Sequence, residues 1–434
     1  MALLTRSRLG GAWLLVAVMT GVITPGYPLA LHAAGLSKGQ IAVFFAANSL
    51  AAFAFSVLTV RRLDLAGRRG VLPALLVASA GGLVLAVGAT HVVLVHLGGV
   101  LSMLFVAATP LLVRRIQAGG LAPADDAALS ARVRSLSVVG YVLGVAAYGA
   151  ASALPGPVDP VLLGAAATLA AAALAGRAEP ATALDPGTAP SGDGTTSGRD
   201  AASGRDPASG RDATSGRDDA APPGGAPAVG PAAGAALGGL ALVVAALVLL
   251  KSADSLRLVY LPLHVVADGH PQAWASVLFV VTAVVELLVL RRVATSVPGG
   301  RARPALVAAA GLAAASFVLS AAWGGLVALV LSQVVYAGFA ALFQALGPVL
   351  LGRRLPSGLA GGVGVFGAVL QVGALVGVLA PLLVPGYGAA VLWLATVPCV
   401  AAGALLVVLG RLPEPATADA PAGGSPTSAT GRGT

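Results

Sequence analysis

Residues 40–70 read QIAVFFAANSLAAFAFSVLTVRRLDLAGRRG. From Gln40 to Val60 there is no charge; four arginines and an aspartate then fall between Arg61 and Arg69. An uncharged run of about 18 residues or more is long enough to cross a ~30 Å hydrocarbon layer as a helix. The polar cluster that follows reads as an ion-paired turn at one membrane face, with arginines of the kind that orient a chain in a bilayer.

Working outward, this pattern of apolar run and arginine-bearing loop recurs along all 434 residues. Hydrophobic residues make up 57 % and charged residues 10 %, with a mean hydropathy of +0.91. A soluble domain carries about 25 % charged residues and would have nowhere to bury so many apolar runs. Lipid offers no partners for exposed backbone groups, so the spans are expected to be helices. A transmembrane β-barrel would show alternating segments of ~10 residues instead.

The expected spans are Gly10–Ala30, Gln40–Val60, Val71–Ala89, Val92–Val113, Ser135–Ala153 and Pro160–Leu174, then Ala235–Leu263, Ala273–Leu290, Ala305–Ala322, Gly325–Leu350, Gly358–Val384 and Gly388–Leu409. The fold class is thus an all-α membrane protein of twelve transmembrane helices in two six-helix bundles. The first bundle is expected over residues 1–176 and the second over 232–411. Between them, 177–231 is rich in Gly, Ser, Pro, Asp and Thr, with Ser-Gly-Arg-Asp beginning at Ser197, Ser203, Ser209 and Ser215. That composition reads as a flexible, nearly neutral linker, and 412–434 reads as a disordered tail. The first apolar run lacks a convincing cleavage site and reads as the first span rather than a signal peptide.

Arginine alternation checks the count. Arg6 and Arg8, Arg61–Arg69, Arg114, Arg115, Arg132 and Arg134, Arg291–Arg303, and Arg353 and Arg354 all fall on one side if there are twelve spans. The other side has Lys38 alone, with His32, His91, Asp159, Asp268 and His270. The positive-inside rule then places both termini and the linker in the cytoplasm, and the chain in the cytoplasmic membrane. The net charge of +9 is accounted for by these loops, so no nucleic-acid partner is expected. The one cysteine, Cys399, excludes a disulfide framework and reads as a small apolar core residue.

Ionisable residues inside the spans are few, and each costs roughly 2.5–3.5 kcal/mol at mid-bilayer. Span seven holds Lys251, Asp254 and Arg257, and span eight holds Glu286. Spacings of three put Asp254 within reach of either cation. Lys251 lies about 16 residues into its span, roughly 24 Å, while Glu286 lies about five residues from the cytoplasmic end, roughly 7 Å. The triad is therefore expected in the outer half of a cavity and Glu286 in the inner half, without a direct Lys251–Glu286 pair; Arg257 is near enough to the outer interface to snorkel. Asn48, Tyr141, Tyr260, Gln333, Tyr336, Gln344 and Gln371 are polar candidates for the same cavity. His96 and His264 lie toward the outer face, and Pro25, Pro28, Pro110, Pro262, Pro348 and Pro381 are expected to kink helices. Gly81-Gly82, Gly98-Gly99, Gly140/Gly144 and Gly373/Gly377 are expected at close helix contacts. No metal-spaced cluster, phosphate-binding glycine loop or nucleophile constellation is visible, so no enzyme, metal or cofactor is expected.

The Asp-x-x-Gly-Arg-Arg run at Asp64–Arg69 resembles the signature between helices two and three of the major facilitator superfamily. The resemblance implies a cytoplasmic gate in which Asp64 is the acid, Gly67 the turn, and Arg68 and Arg69 the basic partners. The corresponding loop of the second half, Arg291-Arg292 through Arg303, keeps the charge but has no Asp. Within that superfamily the chain is most similar to the sugar efflux transporter group, through Gln40–Asn48, Thr109-Pro110, Tyr260-Leu261-Pro262-Leu263 followed by Glu286, and Leu355-Pro356 through Phe366. Glu286 falls where that group carries its intramembrane acid. The implied function is alternating-access efflux of a sugar, glycoside or amphipathic drug-like molecule. Protons are the expected coupling ion, since a desolvated carboxylate can take up and release a proton in the working range. The expected partners are a small-molecule substrate, protons and the lipid bilayer, for a monomeric chain. An importer or facilitator, and a non-transporting membrane sensor, are the alternatives.

Overall fold

A computed structural model describes residues 2–62, 65, 68, 70–118, 126–154, 159–178, 231–296, 301–355 and 358–411. The expected linker beyond 178, the tail from 412, and Asp64, Gly67 and Arg69 lie outside the described residues.

Every long segment is helical: α1 Ala2–Ala33, α2 Lys38–Arg61, α3 Val71–Gly88, α4 Val92–Ser102, α5 Leu104–Ala118, α6 Asp126–Ser152 and α7 Leu162–Arg177, then α8 Pro231–Ala267, α9 Ala273–Ser296, α10 Ala302–Trp323, α11 Gly325–Gly352, α12 Gly358–Leu379 and α13 Ala389–Leu409. Among the described residues, ten stretches are long and apolar enough to span a bilayer, and the apolar parts of α6 and α7 are shorter. With α4 and α5 forming one span, the chain has twelve transmembrane helices in two six-helix bundles. Large apolar side chains such as Leu50, Val93, Val327, Val397 and Val400 face outward, as a lipid-facing surface requires.

Hydropathy alone misplaces several ends. Helices α1, α6 and α9 run beyond the expected spans, because a helix continues past the hydrocarbon into charged sequence that a hydropathy window rejects. Span four, expected to be continuous, breaks at Met103. The carbonyl of Ser102 at the break accepts the Ser79 hydroxyl from α3 at 2.6 Å, which satisfies a backbone group that lipid could not. Span eleven stops at Leu379, and Ala380–Leu383 continues as a 3₁₀ turn with Pro381 near its start; proline has no N–H to give to a continuing helix.

The two bundles repeat one pairing pattern. The first span of each packs on the fifth and sixth (α1 on α6 and α7; α8 on α12 and α13), the third on the fourth and sixth, and the second on the fourth. The first spans also end alike. Gly35 and Gly269 both have φ of +80°, and Leu36 N donates to Leu31 O as His270 N donates to Val265 O. A positive φ at the residue closing a helix favours glycine. The bundles meet along α2–α12, α6–α9 and α1–α8, leaving space between them at the centre.

Candidate functional site

The start of α1 and the end of α13 define the terminal end of the bundle; the turns after α1, α8 and α12 define the far end. Helix α8 carries Lys251, Asp254 and Arg257. Lys251 Nζ lies 2.5 Å from Asp254 Oδ2, with both side chains mostly buried. Tyr336 of α11 donates its hydroxyl to Asp254 Oδ1, so both carboxylate oxygens are committed. Gly373 of α12 lets its backbone lie against Lys251, since a Cβ there would sit 2.6 Å from the Lys251 Cβ.

Arg257 is expected to reach the outer interface, but it is only 3 % exposed. Its Nε donates to Gln333 Oε1 at 2.8 Å, and Nη2 donates to the same oxygen at 2.5 Å and to Thr282 Oγ1 at 2.7 Å. Its carbon centre lies 4.0 Å from the Tyr336 ring centroid and 4.9 Å from that of Phe279. Cation–π attraction and neutral acceptors from α9 and α11 hold the guanidinium inside instead of letting it snorkel. Gln333, expected at the cavity wall, is the anchor of this network and lies outside the cavity lining.

A cavity of about 500 Å³ opens between the bundles. Trp13, Thr20, Tyr141 and Phe105 line it from the first bundle, and Lys251, Asp254, Arg257, Glu286 and Gln344 from the second. The triad and Glu286 line this one cavity. Lys251 is paired with Asp254 and not with Glu286. A second cavity, of about 270 Å³, adjoins the first at Lys251, Thr20 and Thr24 and is lined by Asn48 and Gln371. The Asn48 amide makes no hydrogen bond there among the described residues.

Tyr260 lines neither cavity. It is fully buried, and its hydroxyl donates to Val378 O at 3.0 Å, tying α8 to α12. Of the gate residues, only Arg68 is described; its carbonyl accepts Arg115 Nη2 at 2.6 Å. His96 Nδ1 contacts Val92 O, one turn back on its own helix. His264 Nδ1 contacts Tyr387 O and its Nε2 lies 3.4 Å from Asp268, so neither histidine belongs to the cavity. Trp13, Thr20, Thr24, Thr282 and Phe279 were not legible as wall residues. A threonine whose hydroxyl bonds its own helix, as Thr20 does to Val16 O, reads in sequence as a passive member of an apolar run.

At the far end the two bundles are tied together. Lys38, at the start of α2, donates to Val384 O at 2.8 Å and to Gly386 O at 2.5 Å in the turn before α13. Its ammonium also lies 5.7 Å from the Tyr260 ring centroid and 5.6 Å from that of Tyr387. Replacing it by Met removes the charge but keeps an apolar stem. In a Cys399→Ala chain with Ser49→Cys in the second cavity, Lys38→Met is expected to speed modification by a membrane-impermeant thiol reagent applied at the far end. Unchanged labelling would mean that the tie does not hold this end closed.

The arrangement, two like bundles around a central polar cavity, defines a polytopic membrane protein of the major facilitator fold. Solved structures share it. A mutant form of the nucleoside transporter NupG superposes with a TM-score of 0.71 at 14 % identity, covering 93 % of this chain and 99 % of that one. A bacterial homologue of the human lysosomal transporter Spinster, inward-facing and unoccupied, gives 0.62 at 14 % identity over 94 % and 95 %. A POT family peptide transporter gives 0.63 at 10 % identity over 94 % and 96 %. By sequence, no protein-family profile and no curated protein matches the chain.

Proposed function

We propose that this protein is a secondary transporter that moves a small organic solute across the cytoplasmic membrane by alternating access. One observation carries the reading: the intramembrane charges gather on a cavity between two like bundles, and Lys38 ties those bundles together at one end. Rocking of two such bundles exposes a midplane site to each side in turn. The arginine pattern makes the terminal end cytoplasmic, which puts the Lys38 tie at the outer end. The transporters that share the fold support the reading.

Within it we assign proton-coupled efflux, as in the sugar efflux group, with a sugar, glycoside or amphipathic molecule as cargo. We assign the exchangeable proton to Glu286, the second carboxylate on the cavity wall. In proteoliposomes, an imposed pH gradient is expected to drive solute flux. Glu286→Gln is expected to keep solute exchange and lose the response to the gradient. Flux indifferent to the gradient, and unchanged in Glu286→Gln, would remove the coupling claim.

A further inference from the structure

We propose that the solute carries an anionic oxygen group, a carboxylate or a phosphate, and that this group docks on the free edge of Arg257. The inference rests on the transport reading and names the substrate class of its site.

A guanidinium has five N–H donors in one plane. In Arg257 the Nε donor and the two on Nη2 go to Gln333 and Thr282. The two on Nη1 take no partner among the described residues. Nη1 is not sealed in the helix packing either, and Arg257 is a wall residue of the larger cavity. The rings of Tyr336 and Phe279 lie against the guanidinium, so the Nη1 edge is what remains for a ligand.

Charge accounting points the same way. All the hydrogen-bond partners of Arg257 among the described residues are neutral, and Glu286 is not one of them. The nearest carboxylate on its own helix, Asp254, is bound to Lys251 and Tyr336. Lys251 and Arg257 against Asp254 and Glu286 leave the wall neutral with Glu286 ionised and one positive charge in excess with Glu286 protonated, and a cation at membrane depth is costly without a reason. A guanidinium locked by stacking and by one bonded edge has already lost its rotamer freedom, so an anion meeting the other edge pays little ordering cost. The same cavity also has apolar wall residues, among them Val138, Leu258 and Ala283. A volume of about 500 Å³ suits a small molecule. The fitting ligand is an anionic head on a compact apolar body.

The test uses the full chain in proteoliposomes and in thermal-shift titrations. The probes are benzoate, 2-naphthoate and phenyl phosphate, set against benzamide, 2-naphthamide and a neutral phenyl glycoside. The anions are expected to stabilise the protein at concentrations about tenfold lower than their neutral counterparts, the worth of one charge-assisted contact. Arg257→Gln is expected to abolish that preference, while Arg353→Gln, at the terminal end, keeps it. If Arg257→Gln does not fold, competition on the unaltered protein decides: anions are expected to block solute flux where the matched amides do not. Carboxylate against phosphate within the panel separates the two head groups. Amides or the glycoside binding and moving as well as the anions would overturn the inference and leave the transport reading standing. No binding by any of the anions also overturns it. Anion binding without flux of any solute would instead sink the transport reading.

Discussion

Lys251→Ala is expected to be the most damaging single substitution in the cavity. It leaves the Asp254 carboxylate in the membrane interior with Tyr336 as its hydrogen-bond partner. Breaking a buried pair by removing one member costs about 3–5 kcal/mol, because the other charge stays behind uncompensated. The purified variant should melt well below the parent and carry no solute. Lys251→Ala with Asp254→Asn removes both charges together, so it should recover most of the thermal stability. It should not recover flux if the pair works in transport. Recovery of both would reduce the pair to a strut between helices. Equal melting of parent and Lys251→Ala would mean that the 2.5 Å pair adds nothing to the fold.

The second large effect is expected at the glycines that seat the fifth span of each bundle on the first. A Cβ on Gly144 would lie 2.0 Å from Val18 O, and one on Gly377 would lie 2.1 Å from Ser252 O. Both obstacles are backbone, which cannot swing aside. Forcing extra atoms into such contacts costs roughly 1–3 kcal/mol, at times more, and close helix contact is what packs spans in lipid. Gly144→Ala and Gly377→Ala are each expected to lower the melting temperature sharply, and Gly144→Leu to prevent recovery of folded protein. Gly81 has nothing within 4 Å of its added Cβ, so Gly81→Ala should be neutral or slightly stabilising, as alanine is the better helix former. Similar melting of Gly81→Ala and Gly144→Ala would contradict the close approach.

Glycine pairs show where reading a sequence stops. Gly81-Gly82 is one motif on paper. In the fold Gly82 meets the backbone of Ser102 and Gly98, while Gly81 faces open space. The cavity charges behave likewise. That Lys251, Asp254, Arg257 and Glu286 are exceptional is plain from their placement in apolar runs. That Asp254 is saturated, that Arg257 is clasped by Gln333 and Thr282, and that the Tyr260 hydroxyl ties α8 to α12 is not.

Residues 40–70, an uncharged run closed by a charged turn, were enough to assign membrane-spanning helices, and arginine alternation carried that reading to twelve spans in two halves. Those properties are local. The bilayer sets the length of each span, and backbone groups without water must bond within their own helix. The tertiary structure decided which polar side chains meet across helices. These helices are apolar on nearly every face, so no pattern along one of them specifies its rotation about its own axis. That rotation comes from its neighbours: Gly144 seated on Val18, Gly377 on Ser252, and Arg257 held between α9 and α11.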